Sequence, residues 1–315
     1  MTFSGEKKSF PRQRLWQKML IIKLIGKKIL TLLNELLKFS VVMSKKKVLF
    51  VMQEIMPYVP ETFMSRIGRT LPQKIQEKKR EIRVFMPRYG IIKERRHQLH
   101  EVIRLSGMNI IVNDTDHSLV IKVASIPSAR MQIYFIDNEE FFHRKAMLYD
   151  DDGNFFEDND ERIIFYSRGV LETVKKLRWS PDLMHVHGII GALAPLYIKK
   201  AFQEDPLFKA TKVIYSIYNM DFDVKFDKNF AKKAVFDVIQ KKDMPHLKGE
   251  PTVGDLVKQA IDYSDGVIIA EEEVPEEFLK YAESQGKLVL NYVPEEKIPQ
   301  EYSDFYDKVL ASQNA

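Results

Sequence analysis

From residue 48 onward, short apolar runs rich in β-branched residues alternate with longer stretches of helical period, which narrows the possible folds sharply. The runs cover 48–52, 82–86, 120–126, 131–136, 183–187, 213–217, 267–270 and 288–293. Apolar runs of about four to eight residues bounded by polar or turn residues read as buried strands. The clearest helix lies over 161–178, with Ile164, Gly169, Leu171, Val174 and Leu177 on one side and Glu172, Lys175 and Lys176 on the other. Asp158 or Asn159 stands in front of it as the N-cap. This alternation predicts an α/β fold, a Rossmann-like mostly parallel sheet with helices on both faces. The runs at 120–126 and 131–136 read as a hairpin through Pro127-Ser128-Ala129-Arg130. The stretch 221–254, rich in lysine and aspartate, reads as a helix-containing insertion or a mobile loop.

Charge divides the chain unevenly. Residues 1–42 hold nine Lys/Arg against Glu6 and Glu35, a net +7, while the whole chain is +5, so the remainder is −2. The globular part therefore has no general attraction for nucleic acid, and no nucleic-acid partner is expected. Within the leader, Leu15, Met19, Ile22, Ile25, Ile29, Leu33 and Leu36 recur at helical spacing between lysines. Charges interrupt it too often for a membrane span, which needs roughly 20 apolar residues in succession. No small-residue cleavage site follows it, so it does not read as a secretory signal. Two readings remain. It is a basic amphipathic helix on a membrane surface, or Met43 is the true start, followed by Ser-Lys-Lys-Lys and then directly by a strand. The second is preferred, and a membrane partner is expected only if residues 1–42 are translated. The expected organisation is a leader at 1–42, one catalytic-type domain at 43–300 and a tail at 301–315.

There is no cysteine, which excludes disulfides, thiolate metal sites and cysteine nucleophiles and fits a cytoplasmic protein. Neither GxxxxGK[ST] nor GxGxxG occurs, which counts against P-loop enzymes and dinucleotide-dependent dehydrogenases. HExxH, GxSxG and clustered Cys/His ligands are also absent, so no metal site is expected.

In open α/β sheets, ligands bind beyond the carboxyl ends of the strands. The residues there are Gln53-Glu54, Pro87-Arg88-Tyr89-Gly90, Asp137-Asn138, His185 and His187, Asn219 and Glu271. His185 and His187, at i and i+2 on one strand, face the same way. A metal held by the pair lacks an evident third ligand. Tyr58, Phe63, Tyr89 and Tyr218 fall near the expected cleft mouth, although most aromatics in such a chain are core or rim. The runs at 93–96 and 271–273 read as solvated charged faces.

The segment Pro181-Asp182-Leu183-Met184-His185-Val186-His187-Gly188, followed by Ala192-Leu193-Ala194-Pro195-Leu196-Tyr197-Ile198-Lys199, resembles the PDxxHxHDW…LAPLYLK block of glycogen and starch synthases. Most of 46–296 is similar to that family's N-terminal catalytic domain. Gln53-Glu54-Ile55-Met56-Pro57 resembles its SExxP turn, and Met86-Pro87-Arg88-Tyr89-Gly90 its PxYG segment. Ile136-Asp137-Asn138, with Phe142 and Arg144, looks like the stretch before its variable loop. Gly153, Asp158-Asn159 and Glu161-Arg162 resemble its G…DN..RF motif. Residues 215–219 take the place of its TIHN strand, and Ser264-Asp265-Gly266-Val267-Ile268 resembles its ADxVxTVS strand.

The resemblance implies the N-terminal half of a GT-B glycosyltransferase. Such retaining enzymes transfer glucose from ADP-glucose or UDP-glucose to the 4-OH of an α-1,4-glucan. The nucleotide sugar is then a substrate and no cofactor is expected. The implied catalytic residues are His187, beside the transferred glucose, with Asp158 and Asn159 lining the same cleft. The implied substrate-binding residues are Glu54, Tyr89, Asp137 and Asn219.

The departures from the family pattern are specific. Its KTGG phosphate loop should fall at 60–63, which here reads Pro60-Glu61-Thr62-Phe63. An acidic, bulky loop opposes pyrophosphate binding. The Asp-Trp after the histidine is Gly188-Ile189, and the TIHN histidine is Tyr218. The chain ends about where the second, donor-binding domain would begin. Three readings follow: a transferase working with a separate donor-binding domain or a homologous synthase, an inactive glucan-binding or regulatory protein, and a protein-interaction module.

Overall fold

The structure, a computed structural model, describes residues 45–312 together with Lys23 and Lys28, which are helical and exposed. The rest of the basic leader expected over 1–42 lies outside the described residues. The unit described below begins at Lys46.

Ten strands form along this unit: β1 (Lys47–Met52), β2 (Glu81–Pro87), β3 (His100–Glu101), β4 (Met108–Val112), β5 (Thr115–Ile126), β6 (Met131–Asp137), β7 (Leu183–His187), β8 (Lys212–Ile217), β9 (Gly266–Ile269) and β10 (Leu288–Leu290). Their order is β10-β9-β8-β7-β1-β2-β6-β5-β3, with β4 added to β5. Neighbours from β10 through β6 are parallel, and β3, β4 and β6 all run antiparallel to β5. All-buried strands such as β7 and β8 explain the unbroken apolar runs, since a parallel sheet is covered on both faces. The expected hairpin is β5–β6; it turns through a 3-10 helix at Pro127–Ala129 and closes on Arg130 at φ +50°.

Successive crossovers run outward from β1 in both directions, to β2 and β6 on one side and to β7 through β10 on the other. The crevice at the carboxyl ends of β1 and β7 is therefore the switch point where ligands collect.

The main helices are α1 (Phe63–Glu77), α2 (Asn159–Lys176), α3 (Ala194–Lys200), α4 (Val253–Asp262), α5 (Glu276–Ser284) and α6 (Ile298–Ala311). Among the described residues, no helix is long and apolar enough to cross a membrane. Helix α1 buries Ile67, Leu71 and Ile75 at i, i+4 and i+8, worth about 1.5–3 kcal/mol for each full side chain. It starts at a capping box, in which Thr62 Oγ1 accepts the Ser65 amide at 3.0 Å and Ser65 Oγ accepts the Thr62 amide at 2.8 Å. Gly68 is required on this helix, because a Cβ there would stand 2.2 Å from the Glu54 carbonyl oxygen.

One expectation changes. Residues 301–311 do not form a tail: they belong to α6, which packs along α1 and buries Tyr302, Phe305 and Tyr306. Arg80 anchors this helix, donating to Asp307 Oδ2 at 2.8 Å and the Ser303 carbonyl at 3.2 Å. Tyrosines at i and i+4 put both rings on one helical face, a signal hidden by the polar residues around them. Of the two readings of 221–254, the helix-containing one holds: short helical turns lead into α4, and Phe226, Phe230, Met244 and Leu247 pack into the core.

Candidate functional site

A pocket of about 390 Å³ opens at the carboxyl ends of β1, β7, β8 and β9. Gln53 and Glu54 enter it from the end of β1, Ile189 from β7, Asn219 and Met220 from β8, and Glu271 from β9. Thr62, Phe63 and Met64 close one side at the start of α1, and Met147, Leu148 and Tyr149 close another. The wall is largely apolar with a few convergent polar groups, the usual make-up of a small-molecule site.

The electrostatics of this pocket are set by Glu54 and Glu271; no Lys or Arg lines it among the described residues. Glu54 Oε2 accepts the Thr62 hydroxyl at 2.6 Å, and its Oε1 accepts Gln53 Nε2 at 3.2 Å. Thr62 caps α1, so the Glu54 carboxylate lies against the positive end of that helix. A helix N-terminus that could meet a ligand's phosphate is thus already paired with the protein's own anion. Glu271 accepts the Asn219 amide at 3.3 Å, and burial, followed by the nearby carboxylates of Glu273 and Glu54, pushes its pKa up.

None of the expected catalytic residues lines this pocket. His187 is wholly buried and does not line it. Its Nδ1 lies 2.7 Å from the Tyr218 hydroxyl, and its Nε2 has no hydrogen-bond partner among the described residues. Burial pulls its pKa down to about 3, so the ring is neutral. The neighbouring His185 ring lies 3.8 Å away, between the Tyr306 hydroxyl at 2.6 Å and Ser216 Oγ at 2.7 Å. Burial and the His187 ring hold His185 well below its usual range.

Asp158 pairs with Arg144 through both guanidinium ends, half-exposed and away from the pocket lining. Asn159 is wholly buried; its Nδ2 donates to the Leu148 carbonyl at 2.9 Å, which fixes a pocket wall from behind. Its Oδ1 accepts Arg162 Nη1 at 2.6 Å. Arg162, which the motif reading left without a role, is fully buried among Tyr89, Phe142 and Phe156, with its pKa pulled down to about 10 by desolvation. Its Nε and Nη2 have no partner among the described residues.

Of the expected binding residues, Glu54 and Asn219 line the pocket, whereas Tyr89 and Asp137 are buried elsewhere. Asp137 meets Lys122 at 2.9 Å and His143 at 3.6 Å. Tyr89 packs edge-on to Phe142. Sequence reasoning placed Glu271 both at a strand end and in a solvated acidic run; Glu272 and Glu273 are exposed, and Glu271 turns inward. Met147, Leu148 and Tyr149 were missed because tertiary contacts bring them to the site: Asn159 and the Phe156 amide both bond the Leu148 carbonyl, and Tyr149 bridges to Phe155.

Comparison with known proteins places the chain in a family. The chain is 36% identical over 174 residues to the glycogen synthase of Chlorobium luteolum, covering 55% of this chain and 36% of that relative. It is 32% identical over 200 residues to the glycogen synthase of Chlorobaculum parvum, covering 62% of this chain and 41% of the relative. The match therefore spans only about two fifths or less of these curated relatives. The fold superposes on the catalytic domain of starch synthase IV from Arabidopsis thaliana, solved bound to ADP and acarbose, with a TM-score of 0.64 at 17% identity. That match covers 79% of this chain and 52% of the solved one. The family model described as the starch synthase catalytic domain matches residues 47–290, and the chain belongs to that glycosyltransferase family.

Proposed function

We propose that the pocket between β1 and β7 receives the end of an α-glucan, and that the chain serves glucosyl transfer of the glycogen/starch synthase type. ADP-glucose is the donor of this reading, no cofactor takes part, and the setting is cytoplasmic. A separate donor-binding domain or a homologous synthase holds the diphosphate. In the transfer, the bond from glucosyl C1 to the donor phosphate breaks. The acceptor 4-OH attacks C1 on the same face, and its proton passes to the departing phosphate.

The observation that carries this reading is the pocket lining: apolar walls, two carboxylates and two side-chain amides, with no cation among the described residues to meet a diphosphate. Sugar hydroxyls donate well to carboxylates, and rings such as Phe63 and Tyr149 suit sugar faces. A diphosphate would face Glu54 and Glu271 across a low-dielectric pocket, where like charges repel strongly.

A second reading, a glucan-binding protein without transfer activity, is favoured by the burial of His187 beneath the pocket. Calorimetry on the full chain, followed by an elongation assay, tests the two. Maltoheptaose binding without ADP-glucose binding is expected of both, and glucan elongation on adding a homologous synthase, above the synthase alone, occurs only in the first. Failure to bind maltoheptaose at millimolar concentration, or tight binding of ADP-glucose by the chain alone, rejects the proposed division of labour.

A further inference from the structure

A second cleft, of about 660 Å³, lies at the other end of the sheet, where β8, β9 and β10 begin. Its lining includes Thr211, Asp265 and Lys287, each immediately before one of those strands. The cleft shares no residue with the pocket at the strand carboxyl ends. Lys199 and Lys200 reach it from the end of α3, with Lys209 and Lys287 from loops, over an apolar floor that includes Phe208 and Leu288.

The cations here are only partly compensated. Asp265 is shared by Lys199 at 2.7 Å, Lys212 at 3.5 Å and the Val213 amide at 2.7 Å. The Asp262 carboxylate is engaged by the Tyr281 hydroxyl at 2.7 Å and His246 Nε2 at 3.1 Å. Lys200 turns to Asp243 at 3.3 Å, and among the described residues Lys209 meets only the exposed Glu204, at 3.7 Å. Lys287 is different. It is half-buried, donates to the Asp262 carbonyl at 2.7 Å, and has no carboxylate oxygen within ion-pair distance among the described residues. An ammonium has three donors, and the Asp262 carbonyl takes one of them.

We propose that this cleft binds a small phosphorylated organic molecule, with its phosphate on Lys287 and Lys209 and its carbon body over Phe208 and Leu288. The size fits, because pockets of roughly 300–1,000 Å³ hold small organic ligands. Charge points the same way. Burial pulls the Lys287 ammonium below its ordinary pKa, and a dianion beside it would offset that cost through charge-assisted hydrogen bonds. The carboxylates that could have neutralised the site are engaged with other donors. This inference is independent of the proposed function, since it concerns the opposite end of the sheet.

The test is calorimetry on the full chain with ribose 5-phosphate, inorganic phosphate and ribose at low and raised salt. Saturable binding of ribose 5-phosphate is expected, weakening with salt, with none for ribose. Lys287→Gln should weaken it about tenfold or more, the loss of one charge-assisted contact. Lys209→Gln, on an exposed side chain with no role in folding here, should weaken it severalfold and leave the melting temperature unchanged. No saturable binding at millimolar concentration overturns the proposal. Equal binding by both variants also overturns it, and so does phosphate binding as tightly as ribose 5-phosphate, which would leave the carbon body without a role.

Discussion

The Nδ1 atom of His187 lies 2.7 Å from the Tyr218 hydroxyl, and this contact ties the centre of the sheet to the wall of the pocket. Tyr218 in turn packs against Phe63, ring centroids 6.3 Å apart, and Phe63 lines the pocket. Burial holds the Tyr218 hydroxyl far above its ordinary pKa, so it keeps its proton and can donate. Tyr218→Phe would leave a buried imidazole nitrogen without a partner, at a cost of about 1–3 kcal/mol. Urea denaturation should show the midpoint fall with the m-value unchanged. An unaltered midpoint would mean that the contact contributes nothing.

The two buried histidines make stability depend on acidity. His187 is held at about 3 and His185 also well below its ordinary value, chiefly by burial. Unfolded, each titrates near 6.5. Between folded and unfolded values the unfolded chain binds more protons, so their contribution is complete above about pH 6.5 and is lost progressively on acidification, for His187 towards about pH 3. Each histidine gives a slope of up to about 1.4 kcal/mol per pH unit in that window. Unfolding free energies at pH 7.5 and 5.5 should differ in this direction, and His185→Gln should reduce the slope. A flat profile between those pH values would contradict the burial of both rings.

Gly68 lets α1 lie directly on the backbone that presents Glu54. Its missing Cβ would stand 2.2 Å from the Glu54 carbonyl oxygen, a fixed backbone atom that cannot swing aside. Gly68→Ala should therefore push α1 away from the end of β1 and destabilise the fold by about 1–3 kcal/mol, as overpacking does. Maltoheptaose affinity should fall with it, because Thr62 and Phe63 travel with the helix. A melting temperature at or above that of the parent would show that the helix has room to shift.

Much of this fold was legible because buried parallel strands write themselves as unbroken apolar runs. β4 was not, since Asn109 and Ile111 face solvent and break the run into an ambiguous alternation. α6 was hidden for a related reason. Its Tyr302 and Tyr306 are amphipathic rings among acidic neighbours, and only the sheet face carrying His185 shows why they are buried. At the site, Glu54 and Asn219 could be read because they directly follow strands. Glu271 follows one too, but three successive glutamates look alike until the chain turns one of them inward. Asn159 and His187 carry motif signals strong enough to name, yet both support the pocket from behind. A one-dimensional pattern marks such positions without saying which side of the wall they occupy.

α6 should be integral to stability. Tyr306 is fully buried, stands 2.6 Å from His185 Nδ1, and has the Arg80 guanidinium 5.6 Å from its ring centroid. Tyr306→Ala removes a buried aromatic ring, worth about 3–5 kcal/mol, and leaves His185 without one partner. Tyr306→Phe keeps the ring and should cost only about 1–3 kcal/mol. Equal losses in the two variants would mean that the hydrogen bond matters and the packing does not.

The pocket's selectivity should reside in its two carboxylates. Glu54→Gln keeps an acceptor for the Thr62 hydroxyl and removes the charge at the N-terminus of α1. Glu271→Gln keeps an acceptor for the Asn219 amide. Each substitution removes one like charge from the path of a diphosphate, worth on the order of 1 kcal/mol for charges several ångströms apart near a protein surface. The double variant should thus bind ADP at least about tenfold more tightly than the parent, with maltoheptaose affinity changing far less. Because the Glu271 pKa is raised, acidification should mimic part of this gain in the parent by protonating that side chain. Calorimetric titration of ADP into parent and double variant at two pH values measures both effects. If ADP affinity is unchanged by removing both charges, then shape rather than charge excludes the nucleotide, and the search moves to Phe63 and Met64 at the start of α1.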